Sequence, residues 1–176
     1  IALTVPPVSA AVALAWWRPP HVRGSGARVV QVVGPSEGGI RRHVVSLCEE
    51  LANRGRDVEL WAPEAVVSFV ERTSPGIRYT NLAIPTGWSP RAWLVAVHAV
   101  KSLCGDNDII HCHGLKPAMV VLLAGRRPIV TWHNKVLTTT HGIKGVPLSA
   151  LERIVLSRSG HVVSTTREMD EQLARW

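Results

Sequence analysis

The chain reads as an α/β protein built on a doubly wound, parallel sheet. Two observations predict this class. Short apolar runs such as Val29-Val30-Gln31-Val32-Val33 and Ile129-Val130-Thr131-Trp132 are continuous, bounded and β-branched, as strands buried on both faces of a parallel sheet are. Amphipathic stretches separate such runs from residue 28 to the end, and strand-helix-strand alternation calls for right-handed crossovers.

The first unit spans Val29 to Arg54. Its strand runs into the glycine-rich turn Gly34-Pro35-Ser36-Glu37-Gly38-Gly39, and a helix opens at Ile40. Ile40, Val44, Leu47, Cys48 and Leu51 recur at the spacing of one helical face, and burying each is worth about 1.5–3 kcal/mol before entropy is subtracted. Gly55 is placed as a left-handed C-terminal cap. Val58 to Trp61 is a second strand that Pro63 ends. Ala65 to Arg72 is a short helix, and Ile77 to Leu82 is a third strand. Ser89 caps a helix with Pro90 in its first turn that runs to Leu103, with Trp93, Leu94, Val97 and Val100 as its buried stripe. Asp108 to Gly114 is a fourth strand, followed by a helix over 115–125. Pro128 to Asn134 is a fifth strand with the same apolar body and polar tip. The connection Lys135–Val146 is long and polar and is expected to border the site as a mobile loop. Ser149-x-x-Glu152 and Thr165-x-x-Glu168 are capping boxes for two further helices, the first with Leu151, Ile154 and Val155 inward, and Gly160 to Ser164 between them is a sixth strand.

Residues 1–27 stand apart. The apolar stretch to Trp17 is interrupted by Pro6-Pro7 and lacks a basic start, which suits neither a signal peptide nor a membrane span, and Arg18 to Ala27 reads as a linker. The expected division is an extension over 1–27 and one domain over 28–176, a length that buries a full core. The net charge of +7 suits acidic partners, but the arginines are scattered and no basic tract is interleaved with aromatics, so nucleic acid is not an expected partner. The three cysteines, Cys48, Cys104 and Cys112, sit in apolar contexts and read as reduced core thiols of a cytoplasmic protein.

In an open α/β sheet, ligands bind beyond the carboxyl ends of the strands, so the Gly38-Gly39 turn, His113 and His133 are expected to share one crevice. The first amide groups of the helix at Ile40 favour an anion, and phosphate is the natural one; a tight turn needing glycine for steric reasons is the alternative. Ile40-Arg41 after Gly39 does not fit a P-loop, and the glycine spacing does not fit a dinucleotide fingerprint. His113 is placed to hydrogen-bond a ligand hydroxyl or phosphate, or to pack; His133 holds the equivalent place on the next strand. His111 reads as a packed histidine and His43 as a half-buried helix histidine. Cys112 alternates to the opposite face from His111 and His113, and no acid stands at ligand spacing beside them, so no metal is expected. Ser36, Ser164 and Cys112 lie in no nucleophile context.

The motif Pro35-Ser36-Glu37-Gly38-Gly39-Ile40-x-x-His43-Val44, then Leu51-Ala52-x-x-Gly55-x-x-Val58, Asp108 to Gly114, Ile129 to Asn134 and Val162-Val163-Ser164-Thr165-Thr166 occur in the order and spacing of a known family. Together they resemble the N-terminal, acceptor-side half of a GT-B retaining glycosyltransferase of family 4 (group 1). The resemblance implies a Rossmann-like domain that pairs across a cleft with a donor domain absent from this chain. It implies a nucleotide-sugar donor, no metal or other cofactor, and a sugar, lipid-linked or small-molecule acceptor. Gly38 and Gly39 would approach the donor diphosphate. His113 would face the transferred sugar as the catalytic residue, and Glu37, Lys116, His133 and Asn134 would border the acceptor side of the cleft. The family's Glu-x7-Glu pair lies in the donor domain, and no two glutamates here have that spacing, so the isolated chain is expected to be inactive. A cytoplasmic location, with peripheral contact at the inner membrane face, follows from relatives that glycosylate lipids. A GT-B-fold UDP-sugar epimerase and a non-catalytic phosphate-binding module are the alternative readings.

Overall fold

The structure is a computed structural model, and it describes residues 27–87, 89–133 and 145–175. Six parallel strands, β1 (Val29–Val33), β2 (Val58–Ala62), β3 (Arg78–Asn81), β4 (Ile109–His113), β5 (Ile129–Trp132) and β6 (His161–Ser164), form one sheet in the order β3-β2-β1-β4-β5-β6. The helices are α1 (Gly39–Asn53), α2 (Glu64–Thr73), α3 (Pro90–Leu103), α4 (Leu115–Leu123), α5 (Gly145–Arg158) and α6 (Arg167–Arg175). The strand order turns outward in both directions from β1, which pairs with β2 on one side and β4 on the other. That reversal is where a doubly wound sheet opens a crevice at its carboxyl edge.

Alternation along the strands sorts side chains into two cores. Val29, Val33, Val58, Leu60 and Ala62 face α1 and α2, which contribute Val44, Val45, Leu47, Cys48, Leu51, Val66, Val67 and Val70. Val30, Val32, Trp61, Ile110, Cys112, Val130 and Trp132 face the other layer, where Ala96 and Val100 of α3, Ala118, Val120 and Val121 of α4, Val155 and Leu156 of α5 and Met169 of α6 pack on them. Cys48, Cys104 and Cys112 are free thiols.

Four local expectations are corrected. Leu94 of α3 is 71% exposed; Ala96 takes its place in the buried stripe, because the inward meridian runs through Trp93, Ala96, Val97 and Val100. Ser149 is not an N-cap: α5 has already begun at Gly145, so the last residues of the expected loop are helical. Within α5, Ile154 is 53% exposed, and Glu152 is buried, accepting a hydrogen bond from Trp132 Nε1 at 2.8 Å. The cap of α6 is Thr166, whose Oγ1 accepts from Met169 N at 3.3 Å; Thr165 Oγ1 instead donates to the Trp132 carbonyl at 3.1 Å.

The amino end of the sheet is held by a charged clamp that the sequence reading does not contain. Arg28 donates to both oxygens of Asp108, to Glu59 Oε2 at 2.6 Å and to the Leu103 carbonyl at 2.8 Å, joining the entries of β1, β2 and β4. Its guanidinium lies 5.6 Å from the Trp61 ring, and Glu59 also accepts from Trp61 Nε1 and the Thr80 hydroxyl. Burial pushes the Asp108 and Glu59 carboxyls upward, but these hydrogen bonds and the Arg28 charge outweigh it, leaving both below their ordinary range.

Replacing Arg28 with Met strands two largely buried carboxylates and is expected to cost about 3 kcal/mol in urea unfolding at pH 7. Because both carboxyls titrate lower in the fold than their ordinary values of 3.8 and 4.5, the clamp's contribution is complete above those values and is lost as pH falls through the lower folded ones. An R28M variant with an unchanged acid limb would show that the limb arises elsewhere.

Candidate functional site

At the strand-order reversal β1 and β4 end side by side, with Val33 paired to His113. Each strand then turns through a glycine. Gly38 precedes α1 with φ 64°, and Gly114 precedes α4 with φ 99°, left-handed conformations that side chains rarely adopt. A Cβ at Gly38 or Gly39 would meet nothing within 4 Å, so at 38 it is the backbone angle, not crowding, that demands glycine. The first turn of α1 carries no acid, and its amide end opens next to the crevice with Arg41 and Arg42 in that turn. Arg41 stacks its guanidinium 4.0 Å from the Phe69 ring, which ties the start of α1 to α2.

Four imidazoles gather behind this turn. His111 and His113 share one face of β4, 4.4 Å apart between ring centroids. His133, just beyond β5, lies near-parallel to His113 at 5.6 Å, and His43, one helical turn into α1, presents its ring edge-on to both at 5.8 and 5.7 Å. Bonds link them to the sheet. His113 Nε2 lies 2.8 Å from Gln31 Oε1, His113 Nδ1 lies 3.3 Å from His133 Nε2, and His111 Nε2 lies 2.7 Å from Thr131 Oγ1. Burial lowers every one of these rings, His133 to about 4 with a contribution from His43, and His111 to about 3 with contributions from His43 and His133. At neutral pH the cluster is uncharged, a set of hydrogen-bonding rings rather than a cationic site.

The histidines expected at the strand ends lie together, with His43 edge-on to both. His113 is only 4% exposed and uses both ring nitrogens internally, because α1 closes over it and Gln31 reaches it from the adjacent strand. His133 is half-buried at the rim. Glu37 is exposed beside Gly38, and Ser36 Oγ in the same turn is buried with no bonded partner. Lys116, in the first turn of α4, donates to the Thr86 carbonyl. Asn134 and residues 135–144 of the expected loop lie outside the described residues. Among the described residues, no group of three or more histidine, cysteine or acidic side chains is arranged to hold a metal ion, and no helix is long and apolar enough to cross a membrane. Gln31 and Thr131 went unrecognised in the sequence. The available signal was one amide in the middle of an otherwise all-valine strand, two positions from each valine that faces α1.

A family model described as glycosyl transferase 4-like domain matches residues 38–176. Among solved structures, MurG of Acinetobacter baumannii superposes with a TM-score of 0.53 at 13% identity, over 79% of this chain and 41% of that one. A protein named MT0777 gives 0.52 at 12% identity, over 79% of this chain and 86% of its own. The chain thus spans about two fifths of the MurG length, and at these identities the likeness is one of fold. No curated protein matches.

The neutral rings set the pH dependence of stability. Unfolded histidines take up protons near pH 6.5, whereas the buried ones resist to much lower pH, so stability is full above 6.5 and falls on acidification. For His111 and for His113 the expected slope is about 1.4 kcal/mol per pH unit each, with smaller additions from the partly solvated His43 and His133. Urea unfolding between pH 7.5 and 4.5 measures it, and His111→Gln should remove one ring's share; a flat profile would mean that the cluster is already protonated in the fold.

Proposed function

Because the chain belongs to the family of glycosyl transferase 4-like domains, we propose that it is the acceptor-side half of a two-domain GT-B enzyme that transfers a sugar from a nucleotide-sugar donor with retention. The observation that carries the reading is the meeting, at the strand-order reversal, of the Gly38-Gly39 turn with the His113–His133 pair, bridged by His43. In this reading the open amide end of α1 receives the donor diphosphate. Hydrogen bonds and the helix dipole there stabilise the leaving group as its charge develops. Glycine at 38 and 39 lets the diphosphate approach the backbone closely.

His133 meets the sugars at the rim, and His113 acts behind it. Glu37, Lys116 and Asn134 border the acceptor. No side chain here is assigned as a nucleophile; the donor domain, outside this chain, supplies the grip on the nucleotide. The reaction runs without a metal or other cofactor. The site of action is the cytoplasm, with peripheral contact at the inner membrane face when the acceptor is lipid-linked. Leu94 and Val95 of α3 and Leu123 of α4 support such contact, since they are exposed apolar side chains on helices that carry Arg91, Lys101 and Lys116 and no acid.

A screen of UDP- and GDP-sugars against simple glycosides and lipid-linked acceptors with the full-length protein tests this. Transfer with the donor's anomeric configuration kept, unchanged by EDTA, is expected; residues 1–176 alone are expected to show negligible turnover. Sugar interconversion without acceptor would point to the epimerase, and nucleotide-sugar binding without any turnover to the binding module. Gly38→Val forces a branched side chain to φ 64° and is expected to cost about 1–2 kcal/mol of stability and to weaken donor binding in a calorimetric titration.

A further inference from the structure

The hydrogen bonds at the carboxyl edge have only two self-consistent directions. A neutral imidazole carries one N–H, and His113 has both nitrogens bonded, so one must donate and the other accept. Its Nε2 faces the amide oxygen of Gln31, which can only accept; hence His113 Nε2–H donates to Gln31. That leaves His113 Nδ1 unprotonated, and the bond to His133 then requires His133 Nε2–H as donor. His133 Nδ1 is the nitrogen left over, and among the described residues no group is bonded to it.

We propose that Gln31, through His113, is a positioning residue that fixes the tautomer of His133 and leaves its Nδ1 as a hydrogen-bond acceptor for a substrate hydroxyl. The order of bonds follows from the orientation of the Gln31 amide, oxygen toward His113 Nε2; that its free end meets a sugar hydroxyl rests on the transferase reading. Gln31 is 1% exposed at the centre of the sheet, and a buried amide there has no solvent partner to turn to. Burial keeps the rings neutral, as the relay requires. An acceptor nitrogen favours ligands that donate, hydroxyls or a protonated phosphate, and disfavours carbonyls and phosphate dianions at that point. The anion is thereby left to the α1 turn and the hydroxyl to His133.

The decisive measurement needs no substitution. In the natural protein labelled with 15N at histidine, nitrogen shifts and ring couplings report which nitrogen of each ring is protonated; His43, His113 and His133 signals are assigned by single replacements. His113 and His133 are both expected as Nε2–H tautomers at pH 7. Nδ1–H on either ring would overturn the relay. Gln31→Met, close in shape and without a polar group, should leave His133 a mixture of tautomers and lower kcat/KM for transfer by about tenfold or more, with circular dichroism confirming the fold. A folded Q31M with His133 still fully Nε2–H would also overturn it. Expected tautomers with no sugar transfer from any donor would sink the transferase reading and leave the relay standing.

Discussion

A single amide in the wrong company governs the carboxyl half of this sheet. β1 is four valines around Gln31, fully enclosed, and an enclosed amide without a partner costs about 1–3 kcal/mol. The bonded partner of Gln31 lies sideways, on the neighbouring strand. Register brings His111 level with Gln31 and His113 two positions on, and the amide reaches His113. His133 and His43 complete one neutral cluster around that pair, beside the start of α1 and the tip of β5.

The two ends of the sheet divide labour by charge. At the amino end, Arg28, Asp108 and Glu59 are ionised and mutually bonded, in an arrangement that holds strands together and leaves the charges satisfied. At the carboxyl end the titratable groups are stripped of charge by burial, and polarity is expressed through directed hydrogen bonds. A ring with no net charge does not compete with the amide end of α1 for an anion. The same backbone thus carries a structural electrostatic lock at one end of its strands and an uncharged, mutually bonded polar cluster at the other.

Much of this was legible in the residues. All six strands followed from continuous β-branched runs, and the place of His113 and His133 at neighbouring strand ends followed from the rule that parallel strands present their ends together. What escaped was set by three-dimensional company. Leu94 and Ala96 differ by two positions on one helix, and only the facing layer decides which of them is inside. Ser149 and Thr165 have good capping patterns, yet α5 starts a turn earlier and Thr165 is needed by the Trp132 carbonyl. The burial of His113 depended on a glutamine contributed from 82 positions away, a partner no local pattern encodes.

Trp132 has one further consequence. Its indole N–H is bound by Glu152 of α5 and its carbonyl by Thr165 beyond β6, so the end of β5 and the elements that follow are fastened to each other directly. The span from His133 to Gly145 therefore joins two points whose separation it does not itself determine. Doubling such a span adds only about 0.6 kcal/mol of closure entropy. Descendants of this chain are free to lengthen, shorten or rewrite that stretch over evolutionary time while the fastened scaffold stays intact.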